Sequence, residues 1–262
     1  MIQDRAVKAD QPSAPTSSRR LVGVGVGPGD PQLLTLAAVR ELEAADVILV
    51  PATEASEQGP GRAELIITAA CKLNGELQRI PFAMRERRGV GPNRAAAWQL
   101  SAKAALDAYV AGAQSVAFAT VGDPSVFSTF SYLAGHVLAQ LPQVEVEVIP
   151  GITAMQALAA RSRTPLTEGQ EVLCLYPHTA GSQRLGELLE VADTVVVYKG
   201  GREFGELADE LRAHERDAVI GTDVGTEREQ LWHSLDELDA AKLPYFSTVL
   251  SAPKRTDIGG RL

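Results

Sequence analysis

The residues V-G-V-G-V-G-P-G-D at positions 22–30 place an apolar, β-branched run directly before a turn rich in glycine and proline. Alternating valines without a charged residue are typical of a strand buried on both faces, as in a parallel sheet. Asp30 followed by Pro31 is a typical helix start, because aspartate caps a helix and proline fits its first turn. The sequence therefore predicts a buried strand over residues 21–26, a tight turn, and a helix that continues to residue 45.

The same alternation of short apolar strands and helices recurs along the whole chain, and Pro150-Gly151 interrupts it near the middle. The 262 residues are enough for two domains of moderate size. We expect an α/β protein in which two α/β domains with mainly parallel sheets enclose a cleft. The predicted domains are residues 20–148 and residues 149–255, between a disordered tail over residues 1–19 and a short tail over residues 256–262.

Composition excludes several classes of protein. The net charge of −8 argues against a nucleic-acid or membrane-surface partner, and no apolar run approaches the ~18 residues of a membrane span. Cys71 and Cys174 form no C-x-x-C pair, and the histidines show no metal-ligand spacing, so neither a disulfide framework nor a metal site is predicted. A cytoplasmic location fits this cysteine usage.

Two loops are candidates for ligand binding, because each follows a predicted strand and ligands of open α/β sheets bind at the carboxyl ends of strands. The first loop does not match the G-x-G-x-x-G dinucleotide pattern, since the position of its last glycine holds Pro28 or Asp30, depending on the glycine that starts it. The second loop is T-V-G-D-P, in which Asp123 could bind a ribose or an amine, or could simply cap the next helix. From these residues alone, ligand loops and tight turns both remain open.

Three segments together resemble the tetrapyrrole methylases, which are S-adenosylmethionine-dependent enzymes. They are V-G-V-G-P-G-D-P-x-L-L-T-L-A-A from residue 24, G-D-P-S-V-F-S-T-F from residue 122, and I-P-G-I-T-A at residues 149–154. The stretch over residues 122–132 and L-P-Y-F-S at residues 243–247 are most similar to the branch that methylates C20 of precorrin-2. The resemblance implies that activity, giving precorrin-3A, and a homodimer. The alternatives are cobalt-factor II or another ring position as methyl acceptor, and a non-catalytic nucleotide- or cofactor-binding module.

The resemblance also implies which residues hold S-adenosylmethionine in the cleft. Lys199 is the one departure among them, since relatives often carry an apolar residue such as methionine there. The segments over residues 221–226 and 245–246 are expected to complete the adenine pocket. The implied cofactor-binding residues are Pro28, Gly122, Asp123, Val126, Thr153, Ala154 and Lys199. No catalytic residue is assigned, because an activated sulfonium needs alignment more than acid or base catalysis.

A tetrapyrrole with many carboxylates requires local positive charge on this acidic protein. Residues 84–94 carry four arginines against one glutamate, a local charge of +3. Arginine binds carboxylates in bidentate fashion, so the segment is either a lid that binds the substrate or an ordinary solvated loop. Its arginines are Arg85, Arg87, Arg88 and Arg94. Arg161 and Arg163 form a second candidate cluster, with favourable placement at a helix C-terminus as the alternative.

The lid hypothesis predicts a selective kinetic effect. Simultaneous replacement of Arg85, Arg87 and Arg88 by alanine should raise the KM for the tetrapyrrole, because each lost guanidinium removes a partner for a substrate carboxylate. Affinity for the cofactor product, measured by calorimetry, should stay unchanged. An unaltered KM would refute the lid.

Overall fold

A computed structural model of the chain describes residues 18–52, 59–81, 91–238 and 242–255. Its elements divide into two groups, each built on a five-stranded sheet. The first group comprises β1 (Arg20–Gly25), α1 (Leu36–Ala44), β2 (Val47–Ala52), α2 (Arg62–Ala70), β3 (Glu76–Pro81), α3 (Pro92–Val110), β4 (Ser115–Thr120), α4 (Phe130–Leu138) and β5 (Glu145–Ile149). The second comprises α5 (Ala154–Ser162), β6 (Leu173–Pro177), α6 (Ser182–Val191), β7 (Thr194–Tyr198), α7 (Phe204–Ala213), β8 (Val219–Thr222), β9 (Gln230–Trp232) and β10 (Ser247–Ser251).

The first sheet has the strand order β3-β2-β4-β1-β5, and all of its pairings are parallel. Helices cover both faces of it. Leu21 of β1 belongs to the apolar cluster that contains Tyr109 of α3 and Leu133 of α4, whereas its neighbour Val22 packs in the cluster of Leu42 of α1. The prediction of a strand buried on both faces is therefore confirmed for β1.

The second sheet has the order β6-β7-β10-β8-β9 and mixed pairing. Only β6 and β7 run parallel, while β10 is antiparallel to both β7 and β8, and β9 is antiparallel to β8. The two-domain α/β class is confirmed, and the mainly parallel arrangement holds for the first sheet. The boundary between residues 148 and 149 stays a prediction.

Among the described residues, no helix combines the length and the apolar character of a membrane span.

The helix predicted after the first turn is wrong in one respect, because it is broken. Asp30 does act as a cap, its Oδ1 accepting from the Gln32 N–H at 2.9 Å, but it caps only a short 3-10 turn, Pro31–Leu33. Leu34 is extended, and α1 starts anew with Thr35, whose hydroxyl accepts from the Ala38 N–H at 3.1 Å. The threonine supplies a second cap, and the chain changes direction between the two.

Three backbone segments approach one another closely at the carboxyl end of the first sheet. Gly27 and Gly122 form an isolated antiparallel bridge, and both have φ values near +75°, which glycine adopts without strain. A Cβ on Gly25 would lie 2.6 Å from the Gly151 nitrogen, and one on Gly151 would overlap the Gly122 carbonyl oxygen. The close contact thus requires glycine at Gly25 and Gly151, and the positive φ values favour glycine at Gly27 and Gly122.

The two groups of elements also touch through glycines. A Cβ on Gly29 would lie 2.6 Å from the Val224 carbonyl oxygen, and one on Gly225 would lie 2.8 Å from the Asp30 nitrogen. Gly225 additionally has φ of +83°. The first loop therefore sits directly against the segment that follows β8.

These contacts make a stability prediction. We expect Gly151→Ala to lower the free energy of unfolding by about 1–3 kcal/mol, because backbone atoms that cannot rotate away surround the site of the new methyl group. Gly135→Ala is the matched control: Gly135 lies in α4, a Cβ there meets nothing within 4 Å, and alanine should stabilise the helix by about 0.5–1 kcal/mol. Urea unfolding measures both, and equal stability of the two variants would contradict the close approach.

Candidate active site

A cavity of about 380 Å³ lies between the two groups of elements, at the carboxyl ends of β4 and β7. This volume is within the range of about 300–1,000 Å³ that is common for small-molecule sites. All seven residues that the resemblance assigns to the cofactor line it: Pro28, Gly122, Asp123, Val126, Thr153, Ala154 and Lys199. Val224, Tyr245 and Phe246, from the two segments expected to complete the pocket, line it as well.

Asp123 links the second loop to the Pro-Gly break. Its Oδ1 accepts from the Ser125 N–H at 2.7 Å and from the Ser125 hydroxyl, and its Oδ2 accepts from the Gly151 N–H at 2.9 Å. Burial acts to raise the pKa of this carboxyl group, but the three hydrogen bonds outweigh it and lower the pKa below the ordinary value of 3.8. Asp123 therefore presents a fixed carboxylate at the cavity, and it does not cap α4, which begins at Phe130.

The start of α5 is held by a capping box. The Thr153 hydroxyl accepts from the Gln156 N–H, and the Gln156 side chain accepts from the Thr153 N–H at 2.9 Å. The Tyr198 hydroxyl oxygen then accepts from the Met155 N–H at 3.0 Å. Burial raises the pKa of Tyr198 in spite of its hydrogen bonds to Met155 and Thr153, so the phenol stays neutral and ties β7 to the helix N-terminus.

Lys199 and Phe127 both line the cavity, and both have unusual backbone conformations. Their φ values are +62° and +51°, in the left-handed region that residues other than glycine rarely adopt. The Lys199 ammonium lies 5.1 Å from the centre of the Phe127 ring, which is 41% exposed and marks the open side of the cavity, here called the mouth. Burial, and to a lesser extent the charge of Arg94, lowers the pKa of Lys199. Strained residues of this kind concentrate at functional sites.

Arg62 lines the cavity and joins the two halves of the chain. Its guanidinium forms an ion pair with Asp223, donates to the Pro28 carbonyl oxygen at 3.4 Å, and lies 3.7 Å above the ring of Phe246. The two charged side chains are only 10% and 14% exposed, and desolvation lowers the pKa of Arg62 although Asp223 opposes this. The pair fixes the first loop and the aromatic wall relative to each other.

The predicted substrate arginines are only partly placed. Arg85, Arg87 and Arg88 lie outside the described residues, whereas Arg94 lies in the first turns of α3, close enough to lower the pKa of Lys199. Arg161 pairs with Asp30 at 3.7 Å and with Glu229 at 3.4 Å, and it lies in the last turn of α5. The alternative of a helix-terminal cation therefore describes Arg161 better than a substrate clamp, and Arg163 is the left-handed cap of the same helix.

Sequence reasoning missed Arg62, Phe127 and Tyr198. The G-P-G turn before Arg62 indicates the start of a helix, but nothing nearby distinguishes this arginine from a surface one, since its partner is 161 positions away. For Tyr198, its place at the carboxyl end of a predicted strand was a usable signal, because such ends border ligand sites.

Comparison with known proteins places the chain in a family. The model of the tetrapyrrole (corrin/porphyrin) methylases matches residues 20–239. A precorrin-2 C(20)-methyltransferase from Sinorhizobium sp is 32% identical over 238 residues, which cover 88% of this chain and 94% of that protein. A cobalt-precorrin-2 C(20)-methyltransferase from Salmonella typhimurium is 30% identical and covers 88% of this chain and 95% of its own length. The chain belongs to the tetrapyrrole methylases.

A solved structure supports the fold assignment. The uroporphyrin-III C-methyltransferase from Thermus thermophilus, crystallised with S-adenosylhomocysteine, superposes with a TM-score of 0.62 and 23% sequence identity. The match covers 89% of this chain and 97% of the other. At this level of identity, the similarity concerns the arrangement of the two α/β halves.

The hydrogen bonds of Asp123 lead to a pH-dependent prediction. Asp123→Asn should lower the free energy of unfolding by about 1–3 kcal/mol at pH 7, because the amide nitrogen must face an N–H donor. The folded pKa lies below the ordinary 3.8, so the stabilisation is present above that value and is lost as the pH falls through the lowered pKa. The difference in unfolding free energy between wild type and variant should therefore shrink in acid, as denaturant titrations at several pH values can measure.

Asp46→Asn is the control for this experiment. Asp46 likewise accepts hydrogen bonds from the N–H groups of Gln114 and Ser115, which lower the pKa of Asp46, but it lies at the amino end of β4, away from the cavity. Both variants should lose stability with the same pH trend. A difference for Asp123→Asn that stayed constant down to acid pH would contradict the role of its charge.

Proposed function

We propose that this chain transfers the methyl group of S-adenosylmethionine to C20 of precorrin-2, giving precorrin-3A and S-adenosylhomocysteine, with release of the proton that C20 loses. The observation that carries the proposal is that all seven expected cofactor residues line the same cavity, in a chain of the tetrapyrrole methylase family. Two C20-methyltransferases at 32% and 30% identity over nearly their whole lengths support the choice of ring position. The name of the Salmonella protein keeps the cobalt-loaded substrate as a second candidate.

The residues of the cavity fit the proposed cofactor. A Cβ on Gly122 would meet no protein atom within 4 Å, so the backbone of the second loop borders open space that a ligand can occupy. Tyr245 and Phe246 present aromatic surface on the opposite side, and their rings meet edge to face at 5.1 Å. Backbone groups at the ends of strands and helices offer hydrogen bonds to a ribose and an amino-acid moiety. A Thermus relative crystallised with S-adenosylhomocysteine supports the same choice.

The protein's part in the reaction is positioning and exclusion of water. S-adenosylmethionine supplies, when bound, an activated methyl group on a sulfonium. Asp123 holds the second loop against Gly151 and keeps a negative charge beside the cavity. Arg94, which lies near Lys199, brings positive charge to this side of the cavity, where it would bind carboxylates of the tetrapyrrole and orient the ring so that C20 can attack the methyl group. Arg85, Arg87 and Arg88 would extend this positive surface.

We also propose that the protein works in the cytoplasm as a homodimer. Cys71 and Cys174 are not joined to each other, which suits a reducing compartment. The edge strand β5 exposes Val146 (37%) and Val148 (50%), an apolar surface that a second subunit could cover.

A methyl-transfer assay tests the proposed function. Purified protein with methyl-labelled cofactor is offered metal-free and cobalt-loaded precorrin-2. We expect label at C20 of the product, located by NMR, and preference for one of the two forms. Binding of S-adenosylhomocysteine is measured in parallel by calorimetry.

The variants described above make this test specific. Asp123→Asn should weaken S-adenosylhomocysteine binding, because it disturbs the loop that borders the cavity, whereas Asp46→Asn should bind as wild type does. Binding without transfer to either substrate would favour the non-catalytic alternative. Transfer to another ring position would exclude C20, and absence of both binding and transfer would refute the proposed methyltransferase activity.

A further inference from the structure

Three possible metal ligands meet outside the cavity, at the carboxyl ends of the parallel strands β6 and β7. His178 lies in the turn that directly follows β6, Glu203 lies in the turn after β7, and Glu206 lies in the first turn of α7. One ligand atom from each of the three side chains lies within 4.8 Å of the other two. The register of the strands, which pairs Pro177 with Tyr198, explains why the two turns are neighbours.

His178 is a buried side chain with one ring nitrogen near a carboxylate. It is only 2% exposed, and its Nε2 lies 3.9 Å from Glu203 Oε2, within ion-pair distance but too far for a hydrogen bond. An ion bound at Nε2 would give this nitrogen a closer partner than Glu203 provides. The other ring nitrogen, Nδ1, has no hydrogen-bond partner among the described residues and is not the atom that would bind the ion.

The backbone beside this histidine packs closely against α7 at Gly200. A Cβ on Gly200 would lie 2.8 Å from Leu207 Cδ2 and 3.6 Å from the Cβ of His178. Glycine thus lets the turn after β7 pack against α7 beside the imidazole. The same turn begins immediately after Lys199, which lines the cavity.

We propose that His178, Glu203 and Glu206 bind a divalent transition-metal ion, with water completing its coordination. One imidazole and two carboxylates suit zinc and similar ions, whereas magnesium prefers oxygen ligands alone. Zinc–ligand bonds of about 2.0–2.2 Å require the glutamates to move towards Nε2. Both glutamates are exposed, so rotation of their side chains can bring this about without repacking the core. The bound ion would hold the turn that follows Lys199 against the turn that follows β6.

The test uses the full-length protein, first treated with a chelator. Calorimetry with Zn²⁺ should show one site per chain, and Zn²⁺ should raise the unfolding temperature, because an ion that binds only the folded state stabilises it. The double variant Glu203→Gln, Glu206→Gln should weaken binding by at least about tenfold. His178→Gln would also remove a ligand, but it replaces a buried side chain and can therefore prevent folding. The double variant replaces exposed side chains only, so it tests the site in either case.

His214→Gln is the matched control. His214 Nδ1 lies 3.6 Å from Glu210 Oε1, a similar histidine–glutamate pair, and His214 is not part of the cluster. Retained Zn²⁺ binding in His214→Gln with its loss in the double variant supports the site. Absence of Zn²⁺ binding in wild type, unchanged affinity in the double variant, or equally strong binding of Mg²⁺ would overturn it.

Discussion

The contact among the backbones of Gly25, Gly122 and Gly151 is the constraint on which the site depends. A side chain at Gly25 or Gly151 would collide with main-chain atoms, and Gly122 has a positive φ, so glycine at these three positions lets the backbone segments converge at the carboxyl end of the first sheet. The Asp123 carboxylate then fixes the convergence, because it joins its own loop to the Gly151 N–H at 2.9 Å. The cavity exists because these loops end against one another and leave the space beyond them to a ligand.

Several cations lie at or near the cavity although the chain as a whole is acidic. The chain carries a net charge of −8, yet the cavity and its surroundings gather Arg62, Arg94 and Lys199. Two of these cations are partly desolvated, which strengthens their interaction with anions at close range. An acidic protein can therefore serve an anionic substrate, provided that the cations occupy one concave surface.

Much of the fold and site follows from local sequence, because apolar runs, caps and glycine turns act within a few residues. The strand before the first loop is of this kind, and so is the placement of the first two loops after strands. The seven expected cofactor residues came from the resemblance to the family and stay a prediction. The break before α1 depended on Thr35 competing as a second cap, and β9 has only three residues, too few for a pattern. The roles of Arg62 and His178 arise from partners distant in sequence, so no local signal distinguishes them from ordinary surface residues.

The Arg62–Asp223 pair bears on how the cavity can be reached. The pair spans the two halves and is largely desolvated, so separating the halves would leave each charge without its partner, which is unfavourable. A route into the cavity that leaves the pair intact lies at the mouth, beside Phe127 and Lys199.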